Sequence, residues 1–332
     1  MRAPGRPVMA ALAGALCIST SAIVMKLAGS SPSATALGRC GFALPVLALL
    51  TWLERRRRAS AGGAGGAVMS ARGRWLARLA GVFLAGDLIL WSHSITNIGA
   101  GLATVLSNLQ VIIVPLFAWL LLGERPRRSL LIAAPVMVFG LILVGGLLTG
   151  GGYGANPRLG VVFGVGVGVL YSAYILLLRR AAAADGASGG GVGCGGGPVV
   201  EALFEATAGA AAGALILGLL LRDFRLGPAW PAVGWLLMLA LTSGVLGWLL
   251  ITVSLPQLPA WLVSALLLVL PAGSVLLGAV FLRERPSLAQ LGGVAAMLVG
   301  VLIAASGSAS TREVRATHAA DTGDVNETVP LD

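Results

Sequence analysis

The stretches LLGERPRRSL (residues 121–130) and FLRERPSLAQ (residues 281–290) share the pattern Leu-x-Glu-Arg-Pro in the same register. Each stretch follows a long apolar run and precedes another. Proline disfavours helical geometry in the residue before it, so each motif predicts the end of a helix. Ser287 and Gln290 then form a capping-box pattern for the next helix. A Glu opposes the dipole at a helix C-terminus, which suggests that it serves the N-terminus of the following helix.

The match between the two stretches extends far beyond the motif. At an offset of 160 the chain aligns with itself without a gap from the third to the fifth apolar run and from the eighth to the tenth. The matched pairs include Ser94 and Ser254, Ala100 and Ala260, Met137 and Met297, and Gly140 and Gly300. This repeat predicts two copies of five helices. Because five is odd, the second copy enters the membrane in the opposite sense, as in many secondary transporters.

The composition excludes a water-exposed surface. Hydrophobic residues make up 57% of the 332 residues and charged residues 11%, whereas soluble domains carry about 25% charged residues. The net charge of +10 does not indicate a nucleic-acid partner, because the arginines flank apolar runs and no nucleic-acid-binding motif accompanies them. The expected partner of this surface is the lipid bilayer.

Ten apolar runs of 18 to 22 residues follow one another, and about 20 helical residues cross a hydrocarbon core. The runs are 8–27, 35–53, 75–95, 102–122, 130–148, 159–178, 202–221, 235–253, 261–282 and 288–305. The predicted fold is therefore an all-α integral membrane protein with ten transmembrane helices in two inverted five-helix repeats. The repeats are 1–150 and 151–306, the second containing a flexible Gly-rich linker at 181–198, and a polar tail at 307–332 is predicted to be disordered.

The basic residues predict the orientation. If the N-terminus is cytoplasmic, 16 of the 23 Lys and Arg residues lie inside, with the cluster at 54–58 as the strongest anchor. Both termini are then expected on the cytoplasmic side of a multi-pass protein in the cytoplasmic membrane. The first 20 residues also resemble a signal peptide, but their apolar stretch continues to Leu27 without a clear Ala-x-Ala cleavage site, which favours a first transmembrane helix.

Asp87 is the first candidate for function, because a carboxyl at bilayer depth is costly. It lies 12 residues into the third run, about 18 Å deep at 1.5 Å per residue. Trp91 and Ser94 share its helix face. Asp87 is expected either to couple transport to an ion or to be a protonated or paired acid in helix packing.

Prolines mark the fourth and ninth runs. On the fourth run Asn108 and Pro115 share a face, and Pro271 lies on the corresponding face of the ninth. A proline frees a backbone carbonyl, which at membrane depth is tolerated beside a neighbour or a cavity. Two proline-broken helices in corresponding places indicate a binding site, although a simple kink is the alternative.

Further polar residues are candidates of lower rank. Asn97 follows His93 on a second stripe of the third run, and Tyr171 and Tyr174 of the sixth run could line a cavity or pack. In the seventh run Glu205 is an alternative coupling acid, whereas Glu201 is expected to be solvated.

Two basic residues lie near the predicted outer face. Lys26 and Arg39 are expected either to extend towards the membrane surface or to attract a carboxylate-bearing substrate. Glycines at 160, 164 and 168 align on one face of the sixth run and predict close helix packing.

No metal or cofactor site is expected. The three cysteines have no metal-ligand or disulfide spacing, and no nucleotide-binding loop is present. The pattern G-x-S-x-G occurs at 186–190, inside the glycine linker and without a strand–turn–helix context. A membrane-embedded enzyme is therefore a weak alternative, and a scaffold that transports nothing is another.

These features together resemble the EamA-type transporters of the drug/metabolite transporter superfamily, across residues 8–305. The resemblance rests on Lys26, Pro32 and Arg39 in MKLAGSSPSATALGR, on SITNIGAGLATVLSNLQ, and on the repeated Glu-Arg-Pro stop. The family often has a proline 13 residues before the Glu. Pro271 occupies that place in the second half, whereas the first half has Val111 there.

The resemblance implies alternating access around a central cavity lined by helices 1–4 and 6–9. Family members move amino acids, metabolites or drugs. We therefore expect a secondary transporter, acting as an exporter on a small-molecule substrate. Proton coupling and a homodimeric assembly are left open as further possibilities.

Overall fold

The computed structural model describes residues 5–60, 69–123, 126, 128–148, 153–184, 199–225, 229–254 and 260–323. Every regular element in these ranges is helical. In chain order they are α1 (Gly5–Ser19), α2 (Ser21–Ala28), α3 (Pro32–Ser60), α4 (Ala71–Ile98), α5 (Ala100–Ser107), α6 (Gln110–Leu122), α7 (Arg128–Val144), α8 (Pro157–Ala184), α9 (Val199–Leu220), α10 (Ala229–Leu239), a π-helix (Ala240–Gly247), α11 (Trp248–Ser254), α12 (Ala260–Phe281) and α13 (Leu288–Gly323).

Eight helical stretches within the described residues are long and apolar enough to cross a membrane. They coincide with all the predicted runs except the fifth and the ninth, which coincide with the shorter apolar helices Arg128–Val144 and Leu268–Phe281. A helix satisfies its own backbone groups, which lipid cannot do. The all-α membrane class is therefore confirmed, while the count of ten spans stays a prediction.

Three of the predicted runs are interrupted. α1 and α2 meet at Thr20, whose hydroxyl donates to the Cys17 carbonyl at 2.7 Å. α5 and α6 are separated by Asn108 and Leu109. The π-helix Ala240–Gly247 joins α10 to α11. Wide π turns are frequent at functional sites, because they displace a side chain from its regular helical position.

Small residues bring α4, α8 and α9 into close contact. A Cβ added to Gly81 of α4 would overlap the Ala206 carbonyl oxygen of α9, and one added to Gly209 would overlap the carbonyl oxygen of Arg78. The aligned glycines of α8 also make close contacts, which are with the side chains of Ile98, Leu106 and Ile113. The predicted glycine packing of the sixth run is confirmed.

The repeated methionines and glycines contact one another reciprocally. Met297 of α13 packs on Gly140 of α7, where an added Cβ would lie 2.6 Å from its Cγ, and Met137 of α7 packs on Gly300 of α13. Both methionines are fully buried. Equivalent contacts exchanged in both directions are the geometry of a pseudo-two-fold axis. This contact accounts for the equal spacing of Met and Gly in the two halves.

The predicted capping box at the start of α13 is confirmed. The Gln290 backbone N–H donates to the Ser287 hydroxyl at 3.2 Å, and the Ser287 N–H donates to Gln290 Oε1 at 3.0 Å. Gln290 is fully buried and its Nε2 donates to the carbonyl of Val144 at 3.2 Å. One side chain thus caps the start of α13 and the end of α7.

The glycine linker inside the second repeat and the tail after that repeat are described to different extents. Most of the predicted linker lies outside the described residues, as do Ser188 and Cys194. α13 continues past residue 306 to Gly323, into the segment for which the composition predicts disorder.

Candidate functional site

Asp87 lies in the middle of α4 and has 6% of its surface exposed. α4 packs against α3, α8 and α9, so the carboxyl is enclosed by helices of both halves. No described residue forms a hydrogen bond with its buried Oδ1. Because an unpartnered polar group inside a membrane protein is costly, this carboxyl is a candidate for binding a ligand or a proton.

Arg39 of α3 supplies the opposite charge. Its positive charge acts on Asp87, but its described contacts are with other groups. The guanidinium carbon lies 5.9 Å from the centre of the Trp91 ring, and Nη2 donates to the Ser243 hydroxyl at 3.4 Å. Trp91 Nε1 is buried and has no hydrogen-bond partner among the described residues. Arg39 is thus held over an aromatic ring rather than neutralised by a carboxylate.

Tyr171 and Tyr174 of α8 complete the surroundings of Asp87 and Arg39. Their ring centres are 5.4 Å apart with the planes at 52°. Both phenols are within electrostatic range of Asp87 and Arg39. Of the predicted site residues, the structure therefore gathers Arg39, Asp87, Trp91, Tyr171 and Tyr174 into one region between α3, α4 and α8.

Ser243 is a residue of this region that the sequence analysis missed. It lies in the π-helix, is fully buried, and bonds Ser21 as well as Arg39. The sequence does give a signal for Ser243, because its hydroxyl lies in the middle of an apolar run. Asp87 was found by the same criterion, a polar side chain within an apolar run. A serine is a weak signal by itself, because its hydroxyl often bonds a helical carbonyl.

Other predicted residues have different partners. Ser94 is fully buried and donates to the Gly160 carbonyl at 2.9 Å, which joins α4 to α8. Asn97 donates to the carbonyl of His93 at 2.8 Å, and Asn108 donates to that of Thr104 at 3.0 Å. These three side chains are satisfied by backbone, so their described role is local packing.

The two prolines have unequal surroundings. Pro115 lies inside α6 and is half-buried, whereas Pro271 lies inside α12 and is buried. Beside Pro271, the Leu270 carbonyl accepts hydrogen bonds from Ser19 and Ser274, each at 3.0 Å. Pro271 thus sits at a hydrogen-bonded junction of α1 with α12.

The acids of α9 are both buried and paired. Arg55 Nη2 lies 2.7 Å from Glu201 Oε1, and Arg78 Nε lies 2.6 Å from Glu205 Oε2. Glu201 is only 2% exposed, so the expectation that it is solvated was wrong. The basic cluster near the end of α3 provides a partner, Arg55, that lets the carboxylate be buried. Glu205 is likewise tied to α4, because its carboxylate already pairs with the Arg78 guanidinium.

Lys26 does not simply extend to the membrane surface. Its Nζ lies 3.1 Å from Glu284 Oε1, in the Glu-Arg-Pro motif of the second half. Glu284 also accepts from the backbone N–H groups of Ala100 and Gly101. The suggestion that this Glu serves the following helix was wrong, because it caps α5 of the first half. Glu124 of the other motif lies outside the described residues.

Metal chemistry finds no support in the described part of the chain, which contains no group of three His, Cys, Asp or Glu side chains that could hold an ion. Cys17 and Cys40 are free thiols.

The fold and the site define a multi-pass helical membrane protein with a buried carboxyl, Asp87, enclosed between its halves. The EamA-like transporter family matches residues 5–146 and 158–306, one match for each half. The chain belongs to this family.

A solved structure described only as "Crystal structure of protein" is similar over 93% of this chain and 99% of its own, with a TM-score of 0.57 and 19% sequence identity. At that identity the similarity shows the fold alone. A comparison with curated proteins gave no match.

Proposed function

We propose that this protein is a secondary transporter that exports a small zwitterionic organic solute by alternating access. The observation that carries the proposal is the buried Asp87 carboxyl, whose Oδ1 has no partner among the described residues, within range of the Arg39 charge and beside Trp91. Membership of a transporter family supports it.

The chemistry of these groups favours a solute that carries both charges. Its ammonium group would donate to Asp87, and its carboxylate would accept from Arg39 and from Trp91 Nε1. A ligand with only one charge would leave either Asp87 or Arg39 without a partner, and an unpaired buried charge is expensive. The rings of Trp91, Tyr171 and Tyr174 offer an apolar surface for the rest of the solute.

Asp87 also offers a route to proton coupling, which we include in the proposal. A solute ammonium and a proton would compete for the same carboxyl. Binding of one then favours release of the other, and the two species cross in opposite directions as the site changes sides. Export of the solute would be driven by entry of the proton.

A binding screen on the purified protein tests the proposal. A ligand that binds only the folded state raises the unfolding temperature, because it increases the free energy of unfolding with the logarithm of its excess over the dissociation constant. We expect zwitterionic amino acids to stabilise the wild type more than nucleobases or cationic drugs do, and Asp87→Asn to remove the difference. Stabilisation by cationic drugs alone would overturn the proposal of a zwitterionic solute. A protein that binds and transports none of these compounds would favour the alternative of a membrane scaffold.

A further inference from the structure

The Glu284 carboxylate is enclosed by donors from the first half of the chain. Its side chain is 2% exposed. Oε1 accepts from Lys26 Nζ at 3.1 Å and from the Ala100 N–H at 2.7 Å, and Oε2 accepts from the Gly101 N–H at 3.2 Å. Glu284 follows α12, Lys26 lies in the last turn of α2, and Ala100 begins α5. One side chain therefore connects three helices at the same end of the bundle.

Glycines make the space for this carboxylate. A Cβ added to Gly278 of α12 would lie 2.6 Å from Oε2, and one added to Gly99 would lie 2.9 Å from Oε1. Gly99 also has a φ of 95°, which disfavours any side chain. The first turn of α5 presents its free N–H groups and the positive end of its dipole to the carboxylate. The contact is thus specific for an anion at this position.

Two residues of this contact have different counterparts in the other half of the repeat. At the offset of 160, Gly278 corresponds to Ala118. TSAIVMKL (20–27) also aligns with YSAYILLL (171–178), which places Leu177 where the first half has Lys26. The repeat therefore does not conserve the ammonium group and the glycine that this contact uses. The opposite end is held by other contacts, in which the buried carboxylates of Glu201 and Glu205 pair with Arg55 and Arg78.

We infer that Glu284, held by Lys26 and the N-terminus of α5, is a latch. It keeps its end of the bundle closed. To open the latched end, α12 must move away from α2 and α5, and the buried carboxylate must lose all three donors. This goes beyond the proposed function, because the latch exists whether or not a zwitterion is the solute.

Accessibility of a buried thiol tests the latch without any substrate. Ser243 is fully buried beside Arg39, so Ser243→Cys in a chain without Cys17, Cys40 and Cys194 reports opening of the site. A membrane-impermeant thiol reagent is applied to intact cells and to inside-out vesicles. We expect the reporter to label slowly from the latch side, the side of Glu284.

Glu284→Gln keeps the shape but removes the charge, and it should raise labelling from the latch side about tenfold, the typical effect of losing a charge-assisted hydrogen bond. Lys26→Met, which spares the cap on α5, should give a smaller rise. Glu201→Gln is the matched control, since Glu201 is also buried and paired with a basic residue, and it should leave labelling from the latch side unchanged.

Two results would overturn the latch. One is unchanged labelling from the latch side in both Glu284→Gln and Lys26→Met, which would make Glu284 a static cap. The other is an equal rise in labelling from both sides of the membrane, which would indicate a general loosening of the helix packing. Since labelling requires no transport, a failed latch leaves the proposed function intact, and a failed binding screen leaves the latch intact.

Discussion

Gly81 of α4 packs directly against the backbone of Ala206 of α9, without room for a side chain between them. A Cβ at position 81 would overlap the Ala206 carbonyl oxygen and lie 2.6 Å from the Ala210 nitrogen. Arg78 and Glu205 pair beside this contact. The helix that carries Asp87 is therefore fixed against a helix of the other half at this point.

Gly81→Ala should push α4 and α9 apart. Overpacking of this kind costs about 1–3 kcal/mol, so we expect a lower thermal unfolding midpoint in detergent. Gly292→Ala in α13 is the matched control, because no atom lies within 4 Å of the added Cβ. Its midpoint should equal or exceed that of the wild type. Equal midpoints for the two variants would show that α4 and α9 tolerate separation.

The inverted repeat predicts opposite locations for its two motifs. Arg128→Cys and Ser287→Cys, each in a chain without other cysteines, should label from opposite sides of the membrane. The distribution of the basic residues predicts position 128 inside and position 287 outside. The measurement is the labelling of each cysteine by a membrane-impermeant thiol reagent in intact cells and in inverted vesicles. Labelling of both positions from one side would remove the inverted topology.

The glycine linker should carry no chemistry. Deleting several glycines within 184–196 should leave transport unchanged, because long flexible loops are cheap to vary. Ser188→Ala should do the same in a transport assay at matched expression. Lost activity in that variant would favour the hydrolase alternative.

The positions of the helices along the chain could be predicted from the sequence because lipid imposes a simple rule. An apolar run of sufficient length must be helical, and the repeat fixes where the runs lie. Asp87, Trp91 and Arg39 were found for a related reason, since polar side chains at depth are rare. The 17-residue α7 shows where this rule fails, because the apolar run at 130–148 continues beyond the end of the helix.

The partners of the polar residues could not be predicted in the same way. Glu284 bonds Ala100, which is 184 positions away, and Arg55 bonds Glu201, which is 146 away. Such pairs depend on how the helices are placed, and no local pattern encodes that. Ser94 shares a predicted face with Asp87, but the approach of α8 at Gly160 gives it a different partner.

Trp91 should contribute a hydrogen bond as well as a ring. Trp91→Phe keeps an aromatic surface and removes Nε1, so zwitterion affinity should fall about tenfold, as for a lost bond to a charged group. Arg39→Gln should weaken binding further. The measurement is the ligand-induced shift in unfolding temperature. Trp75→Phe is the control on the same helix, with Trp75 61% exposed, and it should bind like the wild type.

Loss of binding in Trp75→Phe equal to that in Trp91→Phe would indicate a general effect of removing tryptophan from α4. Unchanged binding in both Trp91→Phe and Arg39→Gln would place the solute elsewhere.

Gradient-driven transport by Asp87→Asn tests the central claim most directly. The asparagine amide keeps the shape of the side chain but cannot ionise, so it cannot exchange a proton for a solute ammonium. Wild type, Asp87→Asn and the control Asp223→Asn, which changes an acid just after the end of α9, are reconstituted in proteoliposomes with a zwitterionic amino acid that stabilises the wild type. Transport is measured with and without a pH gradient.

We predict that the gradient drives accumulation by the wild type and Asp223→Asn and not by Asp87→Asn, while all three remain folded. Equal gradient-driven accumulation by Asp87→Asn and the wild type would contradict the assignment of Asp87 as the coupling group.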